Sequence, residues 1–351
     1  IIKVNKKNFA QKGTIAVEKT GEVFFGVSAS GGIDESGNEL PIIYQPQYEK
    51  RGLPGAVYEV VAAEDIITPD GTVRNHKGDV VDTIITDENG IAMSCELYLG
   101  EYEVREVTAP NGMVLNPESR FVELVYAGQN VAVTETATSF ENERQKVEIS
   151  LVKSIEQNER FGIGNNGEMK NISFGLFAAE EIVSASGTSI PANGLIEIVS
   201  LNEDGTATIK TDLPYGRYYV QEIATDSHYK LSDAKYPIIF EYVGQDTAVV
   251  KIAVNDGKAI KNDLIYGSVS GKKVDEDGNA LGGAMIGLFR TDDGEFTKEN
   301  ALVTTTSAED GSFSFENIPC GTWYVREIEQ PTGFVLDDTV YPVTIGTDGQ
   351  V

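Results

Sequence analysis

Apolar and polar residues alternate in short segments along the whole chain, and one such segment occurs three times. It reads GEYEVREVTAPNGMVL from Gly100, GRYYVQEIATDSHYKL from Gly216 and GTWYVREIEQPTGFVL from Gly321. A period of two places alternate side chains on one face of a strand, so each segment predicts a β-strand. No long stretch carries apolar residues at helical spacing. The pattern therefore predicts an all-β fold.

The repeat extends beyond this segment and indicates three modules in register. A glycine precedes each copy and another follows it; the pairs are Gly90 and Gly128, Gly205 and Gly244, and Gly311 and Gly349. A second strand-like segment also recurs, as GAVYEVVAAED, NISFGLFAAEE and GAMIGLFRTDD. Short strands separated by turn residues are typical of Ig-like β-sandwiches. The short connections between modules favour a rod of tandem sandwiches.

The register gives boundaries for each module. We assign residues 11–146 to module 1, 147–266 to module 2 and 267–351 to module 3, and we assign residues 1–10 to the last strand of a preceding module. Module 1 has an insert near residues 21–54, and its segment SASGGIDESGNELP predicts a loop because it is rich in turn residues. A smaller insert in module 2 contains NERFGIGNNGEMKN.

Each copy of the repeated strand places a carboxylate among apolar residues. Glu106 shares a face with Tyr102 and Val104, and Glu222 and Glu327 hold the same place in the other two copies. A buried charge is costly unless it is paired or neutralised. These three glutamates are therefore candidate site residues.

An asparagine precedes a lysine by eleven residues at three places, each at the edge of a module. The pairs are Asn8 with Lys19, Asn142 with Lys153, and Asn262 with Lys273. Each Asn ends one module and each Lys opens the next. An amine and a carboxamide can condense to an amide, so these residues are candidates for crosslinking.

These blocks resemble the Cna B-type domains, also described as SpaA-like and prealbumin-like, of Gram-positive surface adhesins and pilins. The family's glutamate motif is Y-x-L-x-E-T-x-A-P-x-G-Y. YEVREVTAPNGM fits it well and WYVREIEQPTGF moderately, whereas YYVQEIATDSHY lacks the proline and has His228 in place of a glycine. The family's opening motif appears as KVDEDGNALGGA from Lys273. The resemblance covers nearly the whole chain.

The resemblance implies an isopeptide bond within a module, between the Lys of the first strand and the Asn of the last, assisted by the Glu. The implied sets are Lys19, Glu106 and Asn142 in module 1, and Lys153, Glu222 and Asn262 in module 2. It also implies the surface of a Gram-positive bacterium, with cell-wall anchoring, and no cofactor. Because the bond forms once, we expect no turnover enzyme. We expect the sequence to be a fragment whose secretion signal and anchor lie outside it.

Elementary chemistry agrees with this implication. Apolar burial lowers the pKa of an amine and so favours its nucleophilic neutral form. Burial also favours the protonated form of a carboxyl group, which can donate to a carboxamide oxygen and then to the leaving amine. The alternative is that each Lys is an exposed strand-edge charge and each Glu is held in an ordinary salt bridge.

Module 3 lacks its last strand at the expected spacing, so Lys273 and Glu327 have no Asn in their own module. Asn8 is the reverse case. It stands eleven residues before Lys19, where the terminal Asn of a preceding module belongs, and no Lys that opens such a module comes before it. Two interpretations remain open. Either the sequence is cut within a longer array, or the Asn8 segment of one molecule fills module 3 of another by head-to-tail strand exchange.

Composition limits the function classes. Hydrophobic residues make up 40% of the chain, which supports real cores, and the net charge of −27 argues against nucleic acid as a partner. The turns DENG, NEDG and DEDG lack the full spacing of a calcium loop, and His76 and His228 stand alone, so we predict no metal site.

The sequence therefore predicts a structural stalk segment of an adhesin or pilin-like protein, with adjacent modules of the same protein as its partners. The alternative is a ligand-binding adhesin that contacts a host matrix protein or glycan through the module 1 insert.

Overall fold

The structure is a computed structural model that describes residues 3–33, 36–292 and 294–349. Parts of the predicted first segment, insert and third module lie outside the described residues, namely Ile1, Ile2, Asp34, Glu35, Asp293, Gln350 and Val351. The described chain is built from strands, with two short 3₁₀ helices at Glu168–Asn171 and Val254–Gly257. The predicted all-β fold is confirmed. No helix in the described residues has the length and hydropathy to cross a membrane.

Module 1 contains eleven strands, which are numbered in chain order. They are β1 (Lys12–Ile33), β2 (Glu39–Gly52), β3 (Val57–Ala62), β4 (Ile66–Ile67), β5 (Val73–Asn75), β6 (Val80–Ile85), β7 (Ile91–Met93), β8 (Leu97–Tyr98), β9 (Gly100–Thr108), β10 (Arg120–Leu124) and β11 (Val133–Asn142).

Modules 2 and 3 follow with ten and six strands in the described residues. Module 2 contains β12 (Lys146–Ile155), β13 (Ser173–Ala178), β14 (Ile182–Val183), β15 (Ser189–Ile190), β16 (Leu195–Ser200), β17 (Thr206–Ile209), β18 (Gly216–Ala224), β19 (Lys235–Phe240), β20 (Val249–Ala253) and β21 (Ile260–Asn262). Module 3 contains β22 (Tyr266–Lys272), β23 (Met285–Phe289), β24 (Val303–Thr306), β25 (Ser312–Pro319), β26 (Gly321–Glu329) and β27 (Tyr341–Ile345).

The same order of four paired strands occurs in every module and contains the repeated glutamate strand; in module 2 these strands belong to a larger sheet that continues into module 1. The order is β6-β3-β9-β10 in module 1, β16-β13-β18-β19 in module 2 and β24-β23-β26-β27 in module 3. An aromatic residue at the start of the glutamate strand anchors it in the core through a bond to a carbonyl oxygen four residues earlier. The donors are the hydroxyls of Tyr102 and Tyr218 and the indole N–H of Trp323. The repeat in the sequence is therefore a repeat in topology.

The facing sheet pairs the first strand of a module with its last, in parallel. In module 1, β1 pairs with β11, and in module 2, β12 pairs with β20 and β21. Module 3 differs, because β22 pairs only with β25 among the residues that the structure describes. Each of the three modules has its own buried apolar cluster between the two sheets.

The insert of module 1 is not the predicted loop, and this expectation was wrong. β1 and β2 form a long antiparallel hairpin over residues 20–52, and the turn-rich segment only supplies its end. The hairpin lies along module 2, where Ile43 pairs with Leu195 and joins sheets of both modules. Its side chains Phe24, Val27 and Tyr44 pack against the core of module 2. The prediction failed because the segment SASGGIDESGNELP is rich in turn residues, although most of it belongs to the ends of strands β1 and β2.

Arg144 fixes the junction beneath this hairpin. Its side chain is 9% exposed and its guanidinium lies 3.3 Å from the centroid of the Tyr48 ring in the hairpin. The same group donates to both carboxylate oxygens of Asp212 in module 2, at 2.9 and 2.5 Å, and to Glu22 at 3.2 Å. One side chain thus connects the linker, the hairpin and the second module.

The smaller insert of module 2 makes the corresponding contact with module 3. Phe161 and Ile163 are buried in the apolar cluster of module 3, and the Phe161 ring meets Trp323 edge-on at 4.9 Å. Both inserts therefore extend one module onto the next along the chain.

The turn glycines Gly90, Gly205 and Gly311 have a positive φ and sit against the backbone of the lysine that opens the module. The N–H of Lys153 donates to the carbonyl of Gly205 at 2.7 Å, and the same bond occurs in the other two modules. A Cβ added at Gly205, where φ is +79°, would lie 2.3 Å from the Lys153 carbonyl oxygen. The glycine is thus required for the first strand to approach this turn.

We predict that Gly205→Ala destabilises module 2 more than Gly187→Ala, which replaces a glycine of similar backbone conformation. Gly187 also has a positive φ of +86° but has open space around its Cβ position. Gly187→Ala should cost about 1–2 kcal/mol for the left-handed backbone, and Gly205→Ala should cost about 1–3 kcal/mol more because of the steric overlap. Hydrogen exchange of module 2 amides measures both free energies of opening. Equal losses would contradict the proposed contact.

We predict that Arg144→Ala releases the hairpin from module 2. The change removes charge-assisted bonds and the aromatic contact, so it should lower the free energy of hairpin opening by about 2–3 kcal/mol. Hydrogen exchange at the hairpin amides, such as that of Val27, which donates to Thr188, reports this opening. The exposed Arg217 of module 2 is the control, and its replacement by alanine should change the value by less than about 0.5 kcal/mol. An unchanged opening free energy in Arg144→Ala would refute the role of Arg144.

Candidate functional site

The first strand carries each lysine on its inward face. Along β1 and β12, alternate residues are buried, and Lys19 and Lys153 occupy inward positions with side chains that are 0% exposed. The Lys19 amine lies 5.8 Å from the centroid of the Tyr58 ring and 6.0 Å from that of Phe140. These amines are therefore enclosed by apolar and aromatic groups rather than placed at a strand edge.

The last strand brings each asparagine beside the lysine of the same module. In the parallel pairing of β1 with β11, Lys19 is opposite Phe140 and Asn142 lies two residues further on. Module 2 has the same register, with Lys153 opposite Ile260 and Asn262 two residues on. Both asparagines are buried, at 3% and 2% exposure. The lysine and the asparagine are therefore neighbours across a strand pair, although they are 123 and 109 residues apart in sequence.

In module 1, the glutamate contacts both other side chains. The Lys19 amine donates to Oδ1 of Asn142 and lies 2.9 Å from Oε1 of Glu106. Nδ2 of Asn142 lies 3.0 and 2.9 Å from the two carboxylate oxygens of Glu106. Each polar group of the trio thus has a partner inside the sandwich.

Module 2 repeats this geometry closely. The Lys153 amine lies 2.5 Å from Oδ1 of Asn262 and 3.0 Å from Oε1 of Glu222. Nδ2 of Asn262 donates to the two oxygens of Glu222 at 2.9 and 3.0 Å and also contacts the Thr225 hydroxyl at 3.0 Å. The departures of module 2 from the family's glutamate motif, which are the missing proline and His228 in place of a glycine, therefore do not alter the arrangement.

Burial changes the acid–base chemistry of the two lysines. Desolvation lowers the pKa of Lys19 and of Lys153, although the hydrogen bonds to Glu106 and Glu222 oppose the shift. A lowered pKa increases the share of neutral amine at a given pH, and the neutral amine is the nucleophile.

A backbone donor ten residues after each glutamate completes the site, and the sequence reasoning missed it. The N–H groups of Asn116, Ser232 and Asp337 donate to Oε2 of their glutamates at 2.9, 3.0 and 2.7 Å. The constant spacing was the available signal, but the side chains differ, so nothing in residue type marked these positions.

Module 3 has the lysine and the glutamate without an asparagine beside them among the described residues. The Lys273 amine lies 3.2 Å from Glu327 and 3.6 Å from Asp337, and its side chain is 17% exposed. Oε1 of Glu327 is buried and has no hydrogen-bond partner in the described part of the chain. Asn8 lies before the first strand, in the exposed segment of residues 3–9.

The acidic segments DENG, NEDG and DEDG form turns between strands. Asp87, Asp204 and Asp275 accept hydrogen bonds from backbone groups two or four residues ahead. Within residues 3–33, 36–292 and 294–349, no group of three or more His, Cys, Asp or Glu side chains is placed to hold a metal ion.

The geometry permits one reaction in modules 1 and 2. In its neutral form, the lysine amine is positioned beside a carboxamide whose nitrogen donates to the glutamate carboxylate. Attack on the carboxamide carbon would form an amide, and the glutamate can move a proton from the amine to the leaving nitrogen.

Comparison with known proteins agrees with the fold. The family model of the SpaA prealbumin-like fold domain matches residues 42–139, 162–258 and 267–351. These ranges include Glu106, Glu222 and Glu327, but they stop before Asn142 and Asn262. No curated protein matches the sequence.

One of the similar solved structures shows the same fold at low sequence identity. The TIE protein of Bacillus anthracis matches with a TM-score of 0.59 and 19% identity over 97% of this chain and 49% of that one. This chain thus spans about half the length of that protein. BcpA, the major pilin subunit of Bacillus cereus, matches at a TM-score of 0.37 and 16% identity over 97% of both chains.

The pilus adhesin SpaC of Lactobacillus rhamnosus GG matches at a TM-score of 0.36 and 15% identity, over 97% of this chain and 40% of that one. The family assignment rests on the three family-model matches, which together cover most of the sequence and fall in the three repeats. The chain therefore belongs to the SpaA prealbumin-like fold domain family.

Proposed function

We propose that this chain is a structural stalk segment of a Gram-positive surface adhesin or pilin-like protein, stabilised by bonds that it forms itself. One bond would join Lys19 to Asn142 and the other Lys153 to Asn262. The observation that supports this most directly is the pair of buried Lys–Glu–Asn trios, each connecting the first strand of a module to its last.

The reaction balances without a cofactor. Nζ of the lysine attacks Cγ of the asparagine, the new C–N bond forms, and the bond from Cγ to Nδ2 breaks. The glutamate passes the amine proton to Nδ2, which leaves as ammonia, and the carboxyl group returns to its starting state. The products are one amide and one ammonia per module, so the chain reacts once and is not a turnover enzyme.

The position of the bond determines its mechanical effect. Because the first and last strands of a module hold the two ends of its chain, a pull on those ends would pass through the crosslink. The hydrogen-bonded core between them would carry little of the force. By analogy with a disulfide, closing loops of 123 and 109 residues stabilises each module by about 4–5 kcal/mol on the entropy model.

The hairpin of module 1 bears on the alternative of a ligand-binding adhesin. Its residues Phe24, Val27 and Tyr44 pack on module 2, and Tyr48 holds Arg144. These side chains serve the contact between modules, which favours the stalk over a host-ligand surface on the insert.

We predict that the intact protein is lighter than its sequence mass by two molecules of ammonia. Glu222→Ala should restore one of them, because it removes the proton carrier of module 2 alone. Glu106→Ala combined with Glu222→Ala should restore both. Mass spectrometry of the denatured protein measures this, and the exposed Glu101 gives a matched control, since Glu101→Ala should keep both losses. A wild-type mass equal to the sequence mass would refute the proposal.

We also predict that Lys19 and Lys153 resist an amine-acylating reagent after complete unfolding. Burial protects both amines in the folded protein, but only an amide protects them once the chain is unfolded. Asn142→Ala should make Lys19 reactive in denaturant while Lys153 stays protected. Peptide mapping provides the readout, with the exposed Lys251 as the internal standard for full labelling. Full labelling of Lys19 in the unfolded wild type would contradict the bond in module 1.

A further inference from the structure

The asparagine nitrogen that would leave as ammonia has an additional partner in module 2. In modules 1 and 2, Nδ2 donates to the two oxygens of the glutamate carboxylate. In module 2 it also donates to the hydroxyl of Thr225, at 3.0 Å. A carboxamide nitrogen carries two N–H groups. Asn262 therefore has an acceptor for each of them, whereas Asn142 has the carboxylate as its sole acceptor within the described residues.

The position of Thr225 in the repeat shows that this hydroxyl is particular to module 2. Thr225 stands three residues after Glu222, just beyond the end of β18. The same place is taken by Ala109 in module 1 and by Gln330 in module 3, and the family's glutamate motif has alanine there. Neither alanine nor glutamine has a hydroxyl group. The contact is therefore a property of this module and not of the repeat.

A network of side-chain bonds holds the segment that carries Thr225. The next residue, Asp226, is buried, and its carboxylate accepts from Nδ2 of Asn171 at 2.7 Å and from the backbone N–H of His228 at 3.1 Å. Nδ1 of His228 lies 2.6 Å from the same carboxylate. Asp226 stands where the family motif has proline, which restrains the backbone through its ring. In module 2 the network supplies the restraint and keeps Thr225 beside Asn262.

The chemistry of the leaving nitrogen indicates what the hydroxyl can do. Nδ2 begins as a neutral amide nitrogen, and after attack by Lys153 it becomes an amine that takes a proton before it departs. A hydrogen bond from a charged donor is roughly twice as strong as one from a neutral donor. Water does not compete for it, because the side chains of Lys153 and Glu222 are 0% and 1% exposed. The bond to Thr225 therefore strengthens as the reaction proceeds, and such a bond lowers the barrier.

We propose that Thr225 is a catalytic residue of module 2, whose hydroxyl accepts from Nδ2 of Asn262 and speeds the loss of ammonia. This role rests on the proposed function, since it requires the bond between Lys153 and Asn262. While the Nζ–Cγ bond forms, the electron pair of the breaking Cγ–Nδ2 bond passes to the nitrogen, and Glu222 supplies the proton. Thr225 keeps its own proton, so the products are the same amide and ammonia as in module 1.

Module 1 brings a hydroxyl group to its trio at a different atom. Tyr58 is on the strand beside Glu106, and its hydroxyl lies 3.5 Å from Oε1 of that glutamate. Phe174 takes this place in module 2. The two modules thus differ in where a hydroxyl meets the trio, on the carboxylate in module 1 and on the leaving nitrogen in module 2. Module 1 is therefore an internal reference for any effect of Thr225.

The rate of bond formation in each module tests this role. Cell-free synthesis of the full chain, stopped at intervals with denaturant, gives the fraction of each amide by peptide mapping. Thr225→Val keeps the branched shape without the hydroxyl and should slow the bond in module 2 by about 5- to 30-fold. The bond in module 1 of the same molecules should form at the wild-type rate. Thr225→Ser, which keeps the hydroxyl, should restore most of the rate in module 2.

A control and a second readout separate catalysis from packing. The exposed Thr208 of β17 is the matched control, and Thr208→Val should leave both rates unchanged. In the completed module Nδ2 has left as ammonia, so Thr225 no longer bonds to it. Thr225→Val should therefore leave the hydrogen exchange of module 2 unchanged once its bond is complete.

Three results would overturn the role of Thr225 and leave the proposed function standing. They are a wild-type rate in Thr225→Val, a slow rate that Thr225→Ser does not restore, and a completed Thr225→Val module that exchanges faster than the wild type. Absence of the amide between Lys153 and Asn262 in the wild type would instead refute the proposed function of module 2, and this role with it.

Discussion

The parallel pairing of the first strand with the last, around a buried lysine, is the constraint on which each module depends. A lysine and a glutamate in an apolar interior are tolerated only when their polar groups have partners. In modules 1 and 2 the asparagine of the last strand completes those partners, and the lysine side chains are fully enclosed. In module 3, where the described residues lack that strand, the lysine is partly exposed and a carboxylate oxygen is left without a donor.

The strands and the central side chains of the site could be predicted because they repeat. Alternation located β9, β18 and β26, and it placed Glu106, Glu222 and Glu327 on the buried face. The lysines and asparagines could be found because an Asn precedes a Lys by eleven residues wherever the last strand of one module is followed by the first strand of the next.

Other parts of the site and the fold left no comparable signal. The N–H donors of Asn116, Ser232 and Asp337 are backbone groups, and any residue other than proline can supply one. The hairpin of module 1 was concealed because SASGGIDESGNELP is turn-rich, whereas its docking depends on contacts with module 2 that are distant in sequence. No sequence pattern marks Arg144, because only the folded arrangement brings Tyr48 and Asp212 to it.

The burial of Arg144 has a consequence for how readily proteases can cut the chain between modules 1 and 2. Linkers between domains are the usual points of proteolytic cutting, because they are exposed and extended. Trypsin-like proteases must take the arginine side chain into a pocket and straighten the backbone around it. Here the guanidinium is held between the hairpin and module 2. The contact that orients two modules therefore also withholds the Arg144 side chain from the specificity pocket of such a protease.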